Sequence, residues 1–371
     1  MKVKLGDLYD IGSSKRVFQS EWRESGVPFY RAREIAKLSD DGFVDNELFI
    51  DEELYSEYIE KYGKPETGDV MVTGVGTLGV CYVVKPKDRF YFKDGNILWF
   101  RQKAKDKILP EYLVKAFDSK EVKDFINRNS SGTTVGTFTI QTAKKMEISL
   151  PSLDEQRGII DKITRIELII KQRKQESQLL DDLIKARFVE MFGDPIINSK
   201  YLETKKLKDM LILKAGDFTA ASDISDIQTE TNPYPCYGGN GIRGYVSEYN
   251  QEGEYSLIGR QGALSGNIQF ASGKFKNTEH ALLVTPIVEI NTIWLNQLLL
   301  NLDLKRYQTG AAQPGLSVKN LQEISIIIVP MVEQNQFADF VRAVDKSKVA
   351  VQKALDEAQL LFDSLMQQYF G

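Results

Sequence analysis

From Phe337 to the end of the chain, apolar residues return at alternating steps of four and three: Phe337, Val341, Val344, Lys348, Val351, Leu355, Ala358, Phe362, Leu365 and Tyr369, with Lys348 the one polar member. A stripe of that period is a coiled-coil seam, because a 3.5-residue repeat keeps one helix face turned to a partner. The same register recurs 178 positions earlier at Ile159, Ile163, Ile166, Ile170, Arg173, Ser177, Leu180, Ile184, Arg187 and Met191, with three polar interruptions. Each stripe follows a proline-containing strand end (Leu150-Pro151, Val329-Pro330) and opens with acidic residues, and the first closes at Gly193 before Asp194-Pro195, where proline blocks continuation. The spacing predicts two helices of about 38 residues, roughly 57 Å each at 1.5 Å per residue. One stripe alone would suit a helix packed on its own domain. Two in matching register bury their apolar faces most simply against each other.

The constant offset extends beyond the seams. It superposes Glu155-Gln156 on Glu333-Gln334, Asp161 on Asp339, Leu183 on Leu361, Ile148 on Ile326 and Gly132 on Gly310 without a gap. Ahead of each stripe lies a glycine- and aromatic-rich segment with short alternating runs, such as Val80–Val84 and Ile324–Ile328, which read as strands of a mixed α/β fold. Gly68–Gly74 resembles Gly253–Gly259, and each is followed by Gly-x-Leu, at Gly76 to Leu78 and Gly262 to Leu264. The expected plan is a mixed α/β (α+β) internal repeat: a globular domain over residues 1–150, a long helix over 151–194, a second domain over 195–330 and a second long helix over 331–371. The two helices are expected to pair as an antiparallel coiled coil.

Composition narrows the chemistry. The 371 residues carry 48 basic and 52 acidic side chains, one histidine and two cysteines, for a net charge of -4. The length allows two domains with a real core. No apolar run approaches the roughly 18 residues of a membrane span, so a soluble, cytoplasmic protein with no membrane partner is expected. Cys81, Cys236 and His280 are too few for a disulfide framework or a structural zinc site; no metal is expected, and the lone His280 reads as structural. With no global basic field, nucleic-acid binding would have to come from local patches. Residues 1–150 alone hold 24 basic and 24 acidic side chains, so charge would have to be segregated between faces there. The acidic run Asp51–Glu60 reads as a solvated helix turned away from any polyanion.

Candidate contacts cluster in glycine-rich loops. In the second domain, Tyr237-Gly-Gly-Asn240-Gly-Ile-Arg243-Gly-Tyr245 is followed by Ile258-Gly-Arg260-Gln261-Gly-Ala263. Glycines let the backbone approach a ligand closely, while Arg offers paired donors to the O6/N7 edge of guanine and Asn or Gln a donor and acceptor to the N6/N7 edge of adenine. The same residues also suit hairpin turns in which Gly-Asn-Gly only supplies positive φ. Lys274 and Lys276 are candidate phosphate contacts or a solvated edge. In the first domain the candidates are Ser13, Ser14, Lys15 and Arg16, then Tyr30, Arg31 and Arg33, with Thr73 and Thr77 at the glycine turn.

Catalytic motifs are not found. Asn232-Pro233-Tyr234-Pro235 has the letters of an amino-methyltransferase loop in the wrong order, Asp356-Glu357-Ala358-Gln359 lies inside a heptad helix rather than at a strand end, and Ser272-Gly273-Lys274-Phe275 lacks the spacing of a phosphate loop.

Pro151-x-Leu-x-Glu-Gln156, the loop Tyr237–Tyr245, Gly259-Arg-Gln-Gly262, Thr309-Gly-Ala-Ala-Gln-Pro-Gly-Leu-Ser317, Ser13–Arg16 and Val27–Arg31 together resemble the specificity subunit of type I DNA restriction-modification enzymes, over essentially the whole chain. Val329-Pro330-Met331-Val332 departs from the pattern at the cap of the second helix. The resemblance implies two target-recognition domains, each reading one half of a split double-stranded DNA target. It also implies a coil that sets the half-site spacing and docks two modification (methyltransferase) subunits, through which restriction subunits join. The seam residues Ile159, Ile163, Ile166, Leu180, Ile184, Phe337, Val341, Val344, Leu355, Phe362 and Leu365 are the candidates for coil formation and docking. Neither S-adenosylmethionine nor ATP is expected here, so the chain is expected to carry no cofactor and no catalytic residue. A coiled-coil scaffold, or a fragment of a single-chain DNA methyltransferase or nuclease, are the alternative readings. The first leaves the Arg-, Asn- and Gln-bearing loops without a purpose, and the second lacks its motifs.

Overall fold

The computed structural model describes residues 2–130, 136–262, 264–309 and 315–371. Two helices of 40 residues each, Leu153–Phe192 and Met331–Phe370, confirm both seams, slightly longer than expected. The first opens with a capping box. The Ser152 amide donates to Glu155 Oε2 at 2.8 Å and the Glu155 amide to Ser152 Oγ at 3.3 Å, satisfying two of the donors that a helix start leaves orphaned. The second lacks that serine and begins with the Glu333 amide on the Pro330 carbonyl, the local departure seen in the sequence. The first ends at Gly193, whose φ of +78° suits glycine, and Lys200 Nζ donates to the last carbonyls at Glu190 and Met191.

The chain forms two compact units, Met1–Gln172 with Ala354–Gly371, and Arg173–Lys353. The boundary cuts both helices at mid-length, so each unit contains one globular domain and half of each helix. In the second unit the helix halves run antiparallel: Asp181 pairs with Lys348 at 2.6 Å, while further along Phe188 and Phe192 meet Phe337. In the first unit Lys162 Nζ donates to the Tyr369 hydroxyl at 3.2 Å. The seam positions are buried or half-buried throughout both helices. The stripe is wider than the seam at two places. Phe188 and Phe192 in one unit, and Met366 and Phe370 in the other, lie beside the seam and are buried in the domain core, where a helix faces a sheet as well as a partner helix.

In the first unit, strands Tyr9–Gly12, Ile97–Gln102, Val70–Thr73 and Cys81–Val83 form an antiparallel sheet in that order. The two central strands, Ile97–Gln102 and Val70–Thr73, are buried on both faces. Val70, Val72, Leu98 and Phe100 face one core with Tyr112, Ile159 and Phe370, and the alternate Met71, Ile97 and Trp99 face another with Ile35 and Phe92, as the two-residue period of a strand requires. A small sheet of Phe49–Ile50, Val27–Tyr30 and Tyr91–Phe92 lies beyond. In the second unit, Leu211–Ala215, Ala281–Pro286, Gln251–Gly259 and Ile268–Asn277 repeat the same order and are extended by Tyr234–Gly238 and Gly241–Val246.

The repeat is thus visible in hydrogen bonds. Lys2–Lys4 pairs antiparallel with Glu147–Ser149, and Thr204–Lys206 pairs antiparallel with Ser325–Ile327. Gln156 and Gln334, both buried, hold the same place. Gln156 Oε1 accepts the Leu109 amide at 2.8 Å and its Nε2 donates to the Lys107 and Pro151 carbonyls; Gln334 Oε1 accepts the Asn291 amide at 2.9 Å and its Nε2 donates to the Val329 carbonyl. Leu109 and Asn291 precede the domain helices Pro110–Asp118 and Thr292–Asn301, so each glutamine fastens a long helix to the start of its domain helix.

One expected match is corrected by a residue. Thr73 pairs with Ile97 and its amide neighbour Gly74 bonds to Asn96, while Gly259 pairs with Ala281 and Arg260 bonds to His280. Thr73 therefore corresponds to Gly259, not Gly74. The turn that follows closes from Gly79 onto Thr73 in one domain and from Gly266 onto Gly259 in the other, and the longer second turn misleads a match made on glycines alone.

Candidate nucleic-acid interface

In the second domain the two glycine loops meet. A Cβ on Gly259 would lie 2.4 Å from the Gly239 carbonyl oxygen and 2.6 Å from that of Leu264, and one on Gly239 would lie 3.2 Å from the His280 carbonyl. At Gly259 only glycine permits that approach. The Arg260 amide donates to His280 at 3.0 Å, its carbonyl accepts the Leu316 amide at 3.0 Å, and Gln261 bridges to Gly315. Four stretches distant in sequence, Tyr237–Arg243, Gly259–Gln269, Thr278–His280 and Gly315–Leu316, converge there. Of the expected loops, Ala263 and residues 310–314 lie outside the described residues, as does Gly132 of the repeat.

Arg243 and Arg260 have no ion-pair partner among the described residues. The Arg243 side chain folds over Gly238, where a Cβ would come within 2.4 Å of its Cδ. Asn240 is exposed at the hairpin tip, and its Oδ1 accepts from Asn267 Nδ2 at 2.7 Å. Tyr237 packs edge-on against Phe275 with ring centres 5.4 Å apart, a placement half inside the core. Lys274 lies over the Tyr249 ring at 4.8 Å and its hydrogen bond with that tyrosine raises its pKa, so it stays cationic. Lys276 is mostly covered and stands 3.8 Å from Asp217. His280 Nε2 lies 3.0 Å from Glu279 Oε1. Asn267 and Gln269 were not legible in the sequence as site residues; they join it only because the hairpin tip folds onto the start of the strand Ile268–Asn277.

The first domain repeats the frame. The Gly74 amide donates to Asn96 at 2.8 Å, the Phe138 amide to Gly74 at 2.9 Å, and Val75 bridges to Thr137, bond for bond the contacts of Arg260 and Gln261. The side chains differ. Arg260 corresponds to Gly74, which has none. Ser13, Gly95, Thr137, Thr139 and Gln141 line a cleft there; Thr137, Thr139 and Gln141 carried no distinguishing sequence signal.

Several of the first domain's expected contacts are engaged internally. Ser13 Oγ donates to the Ile97 carbonyl at 3.0 Å and Ser14 Oγ to that of Phe92 at 2.6 Å. Lys15 is exposed beside the Tyr62 ring, and exposed Arg16 pairs with Asp94 at 3.0 Å. Tyr30 stacks on Phe90 with centres 4.8 Å apart. Arg31 grips Glu34 through Nε and Nη2 at 3.1 and 2.9 Å, and Arg33 bonds Glu34 and Glu47 at 3.0 and 2.8 Å. Glu34 is 1% exposed. Burial pushes its carboxyl up, but hydrogen bonds from Arg31 and Arg33 outweigh that and hold it below the usual range. Thr73 is corrected outright as a surface contact: it is 1% exposed, and its hydroxyl donates to the Thr77 carbonyl and accepts the Val80 amide. Thr77 itself is exposed. The acidic run forms a helix, Glu52–Tyr62, capped by Asp51.

The family model described as the type I restriction modification DNA specificity domain matches residues 1–179 and again 200–358. The chain belongs to that family. Its two matches coincide with the duplicated frame, each taking in one domain and much of the helix that follows. The chain is 39% identical over 163 residues to the EcoprrI specificity subunit of Escherichia coli, across 44% of this chain and 38% of that one. It is 30% identical over 197 residues to a putative type I restriction enzyme specificity subunit of Haemophilus influenzae, across 53% of this chain and 47% of that one. The chain thus spans less than half the length of these two relatives. In fold it is similar to the crystal structure of a type I restriction-modification S subunit from M. genitalium, with a TM-score of 0.62 at 16% identity, over 100% of this chain and 96% of that one. A chain from a structural study of type I restriction-modification complex assembly gives 0.59 at 17%, over 100% of this chain and 97% of that one. Among the described residues, no helix is long and apolar enough to cross a membrane.

Proposed function

We propose that this chain is the non-catalytic specificity subunit of a type I restriction-modification complex, reading a bipartite double-stranded DNA target with one domain per half-site. The observation that carries the reading is the family match over both halves of a chain whose domains repeat one hydrogen-bonded frame. Two similar readers in one chain suit two half-sites, and different loop side chains suit two different half-site sequences. The paired helices would dock two methyltransferase subunits, since a repeated surface accepts two identical partners, and restriction subunits would join through the complex. In this reading S-adenosylmethionine and ATP belong to those partners, and the assembled complex is a site-specific deoxyribonuclease and adenine methyltransferase. The domain limits proposed with it are residues 1–150 and 195–330. The DNA contacts proposed are Arg243, Arg260, Gln261, Asn240 and Lys274 in the second domain, and Lys15, Arg16 and Thr77 in the first. Purified alone, the chain should transfer no methyl group; with its cognate modification subunit it should direct adenine methylation to a split motif. Methyl transfer by the isolated chain, or an assembled complex that methylates without a split motif, would overturn the reading.

A further inference from the structure

The tip of the second domain's hairpin holds a group of carboxamides whose hydrogen-bonding capacity is largely unspent among the described residues. Asn240 stands exposed between Gly239 and Gly241, and Gly241 has a φ of +97°. A side chain on such a tip would ordinarily sample both orientations of its amide. Here Asn267 Nδ2 donates to Asn240 Oδ1 at 2.7 Å. Asn267 is itself fixed by its backbone: its amide donates to Leu264 at 3.2 Å and its carbonyl accepts the Gly259 amide at 2.8 Å. Gln269 lies alongside, its Oε1 3.2 Å from where a Cβ on Gly241 would be.

An amide oxygen has two lone pairs and an amide nitrogen two hydrogens. With one lone pair of Oδ1 taken by Asn267, Asn240 keeps the other, together with both N–H donors, among the described residues. A donor and an acceptor side by side match the N7 acceptor and N6 donor of adenine in the major groove, and a reader whose amide is already oriented loses less freedom on binding. We infer that Asn240 reads an adenine in the half-site of the second domain and that Asn267 is the positioning residue that fixes its amide. This rests on the reading of the chain as a specificity subunit.

The test uses the complex of the full chain with its modification subunit, measuring binding to the methylated target and to its single-base variants, with thermal unfolding of each variant. Asn240→Ala should relax preference about tenfold or more at one A·T pair. Asn267→Ala should relax the same position by a smaller factor, leaving binding to unrelated DNA and the unfolding temperature unchanged. The double variant should be no less selective than Asn240→Ala alone, because Asn267 acts only through Asn240. Asn267→Asp, which keeps the shape but removes the donor, should relax the same position. Relaxation at a different position, additive effects in the double variant, or unchanged preference in both Asn267 variants would overturn the inference while leaving the specificity-subunit reading standing. A wild-type complex with no split target would remove that reading instead.

Discussion

The two domains share a frame and differ in what they hang on it. Both have the same four-strand order, the same antiparallel strap before the long helix, and the same glutamine at its start. Beyond the frame, the first domain adds Val27–Tyr30 and the helix Ala32–Asp41, whose arginines are committed to Glu34 and Glu47. The second adds a hairpin whose Arg243, like Arg260 nearby, meets no carboxylate among the described residues. A buried ion pair is held for the fold, since removing one partner strands the other charge, whereas an unpaired arginine at a loop tip can meet a base edge or phosphate at little cost. The number of basic residues therefore says less about an interface than their partners do.

The sharpest way to break the comparison is at the contact between the loops. Gly259→Val places side-chain carbon where the Gly239 carbonyl stands and should push the hairpin aside. Binding of the complex to its full target should fall about 100-fold, roughly 2.7 kcal/mol, while discrimination against changes in the other half-site persists. Equal loss of discrimination in both half-sites would mean the domains do not read separately.

Arg31→Ala should act on stability rather than reading. It leaves Glu34 buried with Arg33 and the backbone amide of residue 31 as its remaining partners, and should cost the first domain about 2 to 3 kcal/mol without altering base preference. Because the folded pKa of Glu34 lies below its ordinary 4.5, its stabilisation is present above that value and is lost as pH falls through the folded pKa. Glu34→Gln should flatten that acid limb in pH-dependent unfolding. A change of methylated motif in Arg31→Ala would return that arginine to the interface.

The smallest of these effects tests the frame itself. Gln156→Ala and Gln334→Ala each leave a half-buried backbone amide unpaired and should each cost about 1 to 2 kcal/mol, alike within about 0.5 kcal/mol. Unequal losses in chemical denaturation would show that the repeat is one of shape and not of energetics.

How much of this was legible beforehand follows the range of the signal. The seams and the 178-residue repeat are periodic, so every heptad restates them, and the cap at Ser152 is a four-residue pattern. The widening at Phe188, Phe192, Met366 and Phe370 was not legible, because it depends on a sheet contributed by distant strands. The fate of Arg31 depended on the burial of Glu34, and that of Arg33 also on Glu47 fourteen positions away; neither carboxylate looks different in sequence from the solvated acids of Asp51–Glu60. Matching Gly74 to Gly259 failed because a longer turn keeps the glycines but shifts the register, and in a strand one residue changes the face. Asn267 has no local mark at all until Gly239 and Gly259 bring the loops together.

The claim that each domain reads its own half-site is tested most directly by the methylated motif of the assembled complex carrying Arg260→Ala. If Arg260 contacts a base edge bidentately, one position in one half-site should relax, at a cost of about 1 to 3 kcal/mol, with the other half-site unchanged and the salt dependence of binding unaltered. Relaxation spread over both half-sites would contradict the division of labour. A motif left intact while binding weakens uniformly, with the salt slope smaller by about one unit, would make Arg260 a phosphate anchor and not a reader.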